Sequence, residues 1–248
     1  MKKSIYILVA ILFLACNSED ANDCFQTIGN KIQEEISVSD FERILVNRNV
    51  SVVLKEGLNT TVVVETGSNL INDVHVEVVG NQLQLTDDNI CNFVREYAPT
   101  VVYITAPNIK EIRSSSQYDI ISDGVLTYPS LKLFSEDDNY EGSFTVGDFR
   151  MHLQTTELRA VANNFSSFYI SGNVEELFVG FYSGAGRFEG ASLIAEHVNV
   201  YHRGSNDMIV NPQQSLTGEL RGTGNLISVN QPPTVEVQQF YTGRLIFQ

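Results

Sequence analysis

ELFVGFYSGAGRFEG (176–190), HVNVYHRGSNDMIVN (197–211), SLTGELRGTGNLISVN (215–230) and TVEVQQFYTGRLIF (234–247) are four passes of one pattern. In each, apolar and polar residues alternate, a small or glycine turn follows, and an apolar pair resumes. The turn positions Gly184, Gly204, Gly222 and Thr242 lie 20, 18 and 20 residues apart, and the apolar entries Leu177, Val198, Leu216 and Val235 lie 21, 18 and 19 apart. Alternation is the period of a strand buried on one face. A strand repeat of this length cannot bury its apolar stripe alone, so copies must stack and share a core, like positions above like. The expected fold is all-β: a β-solenoid, a stack of roughly 20-residue coils. An antiparallel β-sandwich with long hairpins gives the same local signals and stands as the alternative.

Working outward, LKLFSEDDN (131–139), RMHLQTTELRAVANN (150–164) and SSFYISGN (166–173) continue the theme less regularly, with FSEDDN (134–139) and VANNF (161–165) where small turns are expected. In the first half, ILVNRNVSVVLKEG (44–57), TTVVVETG (60–67), VHVEVVGNQLQLTDD (74–88) and TVVYITAP (100–107) are alternating, β-branched strand sequences. Gly57, Gly67 and the Gly80-Asn81 pair punctuate them as turns. No segment here has a helical period.

The chain opens with MKKSIYILVAILFLAC (1–16): Lys2 and Lys3, then an apolar run from Ile5 to Leu14, then Ala15 and Cys16. That is the layout of a secretory signal, and the cysteine at the cut gives it the form of a bacterial lipoprotein signal. Phe13 stands where that pattern prefers leucine. The run is far short of the ~20 residues that cross a bilayer. Three segments are expected: a lipoprotein signal peptide over 1–15, a tether and lead-in over 16–40, and the β-solenoid domain over 41–248. The location expected is exported, an outer-membrane lipoprotein on the periplasmic or cell-surface side, held to the membrane by lipid on Cys16. Removing the signal takes two lysines with it and lowers the net charge from −14 to about −16. Such a chain repels polyanions, so nucleic acid is not a partner.

With Cys16 assigned to lipid, Cys24 and Cys91 remain. In an oxidising compartment an even pair is expected to form a disulfide. Closing that 67-residue loop stabilises the fold by roughly 4 kcal/mol on the chain-entropy estimate.

SGAGR (183–187), RGTGN (221–225) and YTGRL (241–245), together with VETGSNLINDVHVEVVGNQLQL (64–85) and TVVYITAPNIKEIRSSSQYDI (100–120), resemble the head GIN domain family of auto-transporter adhesins. The resemblance covers approximately residues 41–248. It implies a right-handed, solenoid-like all-β fold in a surface or periplasmic protein, often a lipoprotein, and it implies no catalytic residues.

The residues themselves show little chemistry. His75, His152, His197 and His202 have no metal-ligand spacing, and SSSQ (114–117) lacks the strand-turn-helix setting of a nucleophile elbow. The acidic turns TDDN (86–89) and SEDDN (135–139) lack the EF-hand spacing and are expected as solvated turns. No cofactor and no metal site is expected.

One constellation stands out. If the repeats stack, the position before the turn aligns Ser183, Arg203, Arg221 and Tyr241. Three residues after the turn glycine, Arg187, Asp207 and Asn225 align, with Tyr182 and His202 close by. Neighbouring coils lie about 4.8 Å apart, so Tyr182, Arg187, His202, Arg203, Asp207, Arg221 and Tyr241 are a candidate binding patch.

The function expected is a lipid-anchored cell-envelope module for binding, adhesion or scaffolding, without catalysis, whose partner is a glycan or a surface protein. The alternative is a glycan-active lyase or hydrolase with its site across neighbouring coils. There Arg203 and Arg221 would neutralise a uronate, with Asp207 or His202 as acid or base.

Overall fold

The computed structural model describes residues 24–89, 91–93, 100–136 and 143–248. The leader with Cys16 and part of the SEDDN turn lie outside them. The described chain is almost free of helix, with a single short 3-10 turn at Ile71–Asp73. Its strands are β1 (Lys31–Glu35), β2 (Arg43–Val46), β3 (Val50–Glu56), β4 (Thr61–Gly67), β5 (Val74–Val79), β6 (Gln82–Asp87), β7 (Thr100–Ala106), β8 (Glu111–Ser114) and β9 (Ile120–Leu126). There follow β10 (Ser130–Ser135), β11 (Phe149–Ala162), β12 (Phe168–Phe181), β13 (Phe188–His202), β14 (Met208–Leu220), β15 (Leu226–Ser228), β16 (Thr234–Gln239) and β17 (Leu245–Phe247). All belong to one curled, 17-stranded sheet.

In the second half each repeat pairs parallel with the next. Phe149 and Ala162 of β11 stand opposite Phe168 and Phe181 of β12, and these stand opposite Phe188 and His202 of β13. β13 pairs in turn with β14, which splits its partner between β15 and β16. Repeats of unequal length stay aligned because the register shifts inside the strands, between Tyr169 and Gly172 and again between Glu189 and Ile194. Such a bulge absorbs an extra residue without turning the inward face outward. Gly172 sits where one shift ends, at φ +111°, and a Cβ there would lie 1.9 Å from the Leu153 carbonyl oxygen. Only glycine fits that approach.

The first half obeys the same pairing in a different order. β2 lies between β6 and β8, and β3 between β7 and β9, all parallel. The layer that comes first in sequence is therefore second in space. β4 and β5 make this possible by pairing antiparallel with the outer edges of β7 and β6. β1 then pairs antiparallel with β4. Residues 31–35, expected as polar lead-in, are thus a strand on the outside of the first layer. Cys24 and Cys91 are joined by a disulfide with their Cα atoms 4.5 Å apart, and Phe25 packs on Phe93 at 5.8 Å beside it.

Side chains pointing inward pile into ladders that run through both halves. One ladder is Val102, Val52, Ile120, Phe149, Phe168, Phe188, Met208 and Leu226, each next to the last through a strand pairing. Every one of these residues is fully buried. Phe149 and Phe168 stack face to face at 4.9 Å, and Phe168 also touches Phe181 and Phe188 at 5.9 and 6.4 Å. The VANNF segment keeps the stack although it has no glycine, because the Asn164 carbonyl accepts from the amides of Ala185 and Gly186.

Two outcomes follow from this packing. Phe168→Ala opens a cavity at the centre of the aromatic cluster and is expected to lower unfolding free energy by about 3–5 kcal/mol, measured by denaturant titration. Reducing Cys24–Cys91, or replacing both with serine, is expected to cost about 2–5 kcal/mol. A melting temperature unmoved by reductant would contradict that.

Candidate functional site

The corner turn between the end of one long strand and the start of the next carries the sequence-derived patch. Its register is set by the pairs Phe181–His202, His202–Leu220 and Leu220–Gln239. The residues immediately after them are Tyr182, Arg203, Arg221 and Phe240, tied by the Arg203, Arg221 and Phe240 amides donating to Phe181, His202 and Leu220 carbonyls. The sequence register placed Ser183 and Tyr241 on this rung. Both stand one position further on, because the strand pairs, not the turn glycines, fix the alignment. Tyr241 projects at 60 % exposure, and its carbonyl accepts from Arg244 Nη1 at 2.8 Å.

The rung after the turn is aligned as the sequence implies. Amides of Phe188, Met208 and Leu226 donate to the carbonyls of Asp207, Asn225 and Arg244, which puts Arg187, Asp207, Asn225 and Arg244 in one row. Asp207 is fully engaged there: it meets Arg187 Nη1 at 3.5 Å and accepts from both the amide and the Nδ2 of Asn225 at 3.1 Å. Arg187 also pairs with Glu189. Arg221 turns the other way, pairing with Glu219 at 2.5 Å and lying 4.1 Å above the Phe240 ring. Arg221 and Asp207 are thus held in separate contacts, on opposite sides of the turn.

His202 leaves the patch altogether. It faces the interior with no exposed surface, its ring edge-on to Phe181 at 6.1 Å. Its Nε2 lies 2.8 Å from the Asn206 carbonyl; since a carbonyl only accepts, Nε2 carries the proton. Burial pushes the imidazole below its ordinary 6.5, against the Asn206 carbonyl and the nearby Asp207, which both favour the proton. A histidine held neutral in the fold contributes stability above its unfolded pKa and loses it as the pH falls below that value. Melting temperature is therefore expected to drop between about pH 7 and pH 5, and His202→Leu should reduce that drop. An identical drop in both proteins would refute this role.

The remaining candidates are structural. In the SSSQ turn, Ser116 donates to the Val50 carbonyl at 2.6 Å and Gln117 exchanges hydrogen bonds with Asn49. Asp88 of TDDN is held by Arg48 at 2.8 Å and lies 3.4 Å from His75. Among the described residues no group of three metal-ligating side chains comes together.

Sequence reasoning missed the outward partners of the arginines. Arg150 lies over Tyr169, Arg159 over Phe178 and Arg221 over Phe240, at 4.0, 4.0 and 4.1 Å. The signal was present: in all three the aromatic follows the arginine by 19 residues, one repeat further on. Tyr201, 5.0 Å from Tyr182, was also missed. Phe178, Tyr182, Tyr201, Arg203, Arg221 and Phe240 form a continuous strip on the outer face of β12, β13, β14 and the turns that follow. Arg203 is its exposed centre, and no hydrogen bond or ion pair engages its guanidinium among the described residues. The strip is not a cavity. A groove of ≈ 410 Å³ runs along the opposite bend of the repeats, past Thr127, Gln154, Asn173, Glu175 and Glu196, and has no aromatic lining.

A laddered apolar interior and an arginine–aromatic exterior describe an all-β protein built of stacked, parallel strand repeats. A family model described as "Putative auto-transporter adhesin, head GIN domain" matches residues 40–232, and the chain belongs to that family. The fold is shared with a crystal structure described as a putative adhesin from Bacteroides fragilis NCTC 9343, at 18% identity and a TM-score of 0.79, covering 90% of this chain and 99% of that one. A putative adhesin from Parabacteroides distasonis ATCC 8503 aligns at 17% identity and 0.66, covering 90% and 100%. A protein from the same organism described as a putative lipid binding protein aligns at 14% and 0.62, covering 89% and 98%. A comparison with curated proteins finds no match. An adhesin-like family points to a secreted or cell-surface protein. Among the described residues no helix is long and apolar enough to cross a membrane.

Proposed function

We propose that this chain is an adhesive binding module of the cell envelope, anchored by lipid on Cys16 in the outer membrane, which acts by contact and not by catalysis. The leader sequence and the polar segment after Cys16 support the anchor. In the same reading, the parallel offset of one repeat from the next is the winding of a right-handed β-solenoid, which displays its outer rows as a regular surface.

The observation that carries the reading is the strip around Arg203. In a chain of net charge −14, a guanidinium with no hydrogen bond or ion pair among the described residues shares an outer row with the exposed Tyr182 and Phe240 and with Arg221. Flat, aromatic and cationic surfaces suit an extended acidic partner, an acidic glycan chain or an acidic protein face, better than a small enclosed ligand.

The test is binding of the purified protein to arrays of acidic and neutral glycans and to matrix proteins. Arg203→Ala and Tyr182→Ala are expected to weaken binding to the best partner at least about tenfold, the scale of one lost contact of 1–2 kcal/mol. Melting temperature should hold, because both side chains are on the surface. Absence of any binding, or variants that bind as the parent does, would overturn the proposal.

A further inference from the structure

The stack has two ends, and they are unlike. At the first, β5 and β4 cover the outer edges of β6 and β7, and β1 lies outside β4. The strands left on that rim, KIQEE and VHVEVV, carry Lys31, Glu34, Glu35, His75 and Glu77. Charge on an edge strand opposes pairing with another chain.

At the other end β16 pairs with β14 and β17 with β15, the register pairings these two strands make among the described residues. Their outer backbone groups have no strand partner among the described residues. Together these two strands, TVEVQQ and LIF, carry a single charge, Glu236. Val235, Ile246 and Phe247 are exposed on them at 36 %, 40 % and 39 %. The charge pattern changes here too. Beyond Asp207 the chain has two acids, Glu219 and Glu236, and two bases, Arg221 and Arg244. This end is locally neutral in a strongly acidic protein.

We propose that the β16–β17 rim is a docking surface for a second copy of the same chain, joined rim to rim about a two-fold axis. Three features select that occupant. An edge strand meets its two-fold mate antiparallel, an orientation in which backbone pairing is favourable. Local neutrality removes, at this face, the repulsion that two acidic chains meet elsewhere. The opposite rim ends on β1 and β5, whose Lys31, Glu34, Glu35 and Glu77 oppose strand pairing, so the contact closes on a pair instead of propagating into a fibre. A two-fold axis between Glu236 and Val237 also sets each Glu236 against a valine, keeping the two carboxylates from facing one another.

Sedimentation velocity on the intact purified chain in non-ionic detergent tests this. The parent is expected as a dimer, dissociating on dilution. Val235→Lys and Ile246→Lys each place a charge on the open edge, at exposed positions away from the Arg203 strip, and are expected to weaken the dimer at least tenfold. Val79→Lys, at an exposed position on the opposite rim, should leave it unchanged. A parent that stays monomeric up to about 100 µM, a dimer indifferent to both edge lysines, or an open series of larger species would overturn the proposal.

Discussion

Parallel, in-register stacking of inward side chains is the constraint on which the rest of the structure depends. Each strand has too little apolar surface to be stable alone, and it gains a core only by lying directly above an equivalent strand. Phe168 shows what this requires: its ring must lie over Phe149 and under Phe188 at once. Repeats of different length therefore cannot drift. The shifts near Gly172 and between Glu189 and Ile194 take up the mismatch where it disturbs the interior least.

The exterior inherits the same alignment. Once Ala160 lies beside Val179 and Leu220 beside Gln239, Arg159 must lie beside Phe178 and Arg221 beside Phe240. Each exposed cation–π contact is worth only about 0.5–1 kcal/mol, so these pairs trim the surface more than they hold the fold. Asp207 bridges its neighbours in the same manner on the far side of the turn. Arg203 differs because its rung offers Tyr182 and Arg221 as neighbours and no carboxylate. What distinguishes it is the identity of the residues one repeat away, not its own local sequence.

Alternation made most of this legible. The odd and even positions of HVNVYH already assign Val198, Val200 and His202 to one face, so the burial of His202 follows from parity, and grouping it with surface residues ignored its own strand. The rung of Arg187, Asp207 and Asn225 was readable because the turns leading to those residues resume the inner ladder at a fixed distance. The rung before the turn was misread by one residue, since glycines mark where a chain bends but strand pairs decide what lies above what. The order of layers in the first half was not readable. Nothing local in ILVNRNVSVVLKEG says that its two neighbours come from residues 82–106 and 111–126, because that choice rests on how β4 and β5 fold back.

That order has a consequence for how the molecule assembles. From β11 to β17 every strand rests on sequence already present, so the sheet can grow by one repeat at a time, each closing a short loop. The β2–β3 layer is flanked on both sides by segments that follow it in the chain. One of its edges waits for β6 and β7, and the other stays open until β8 and β9 have been made. The first half must therefore close as one cooperative unit, and only afterwards does it offer the template on which the later repeats add.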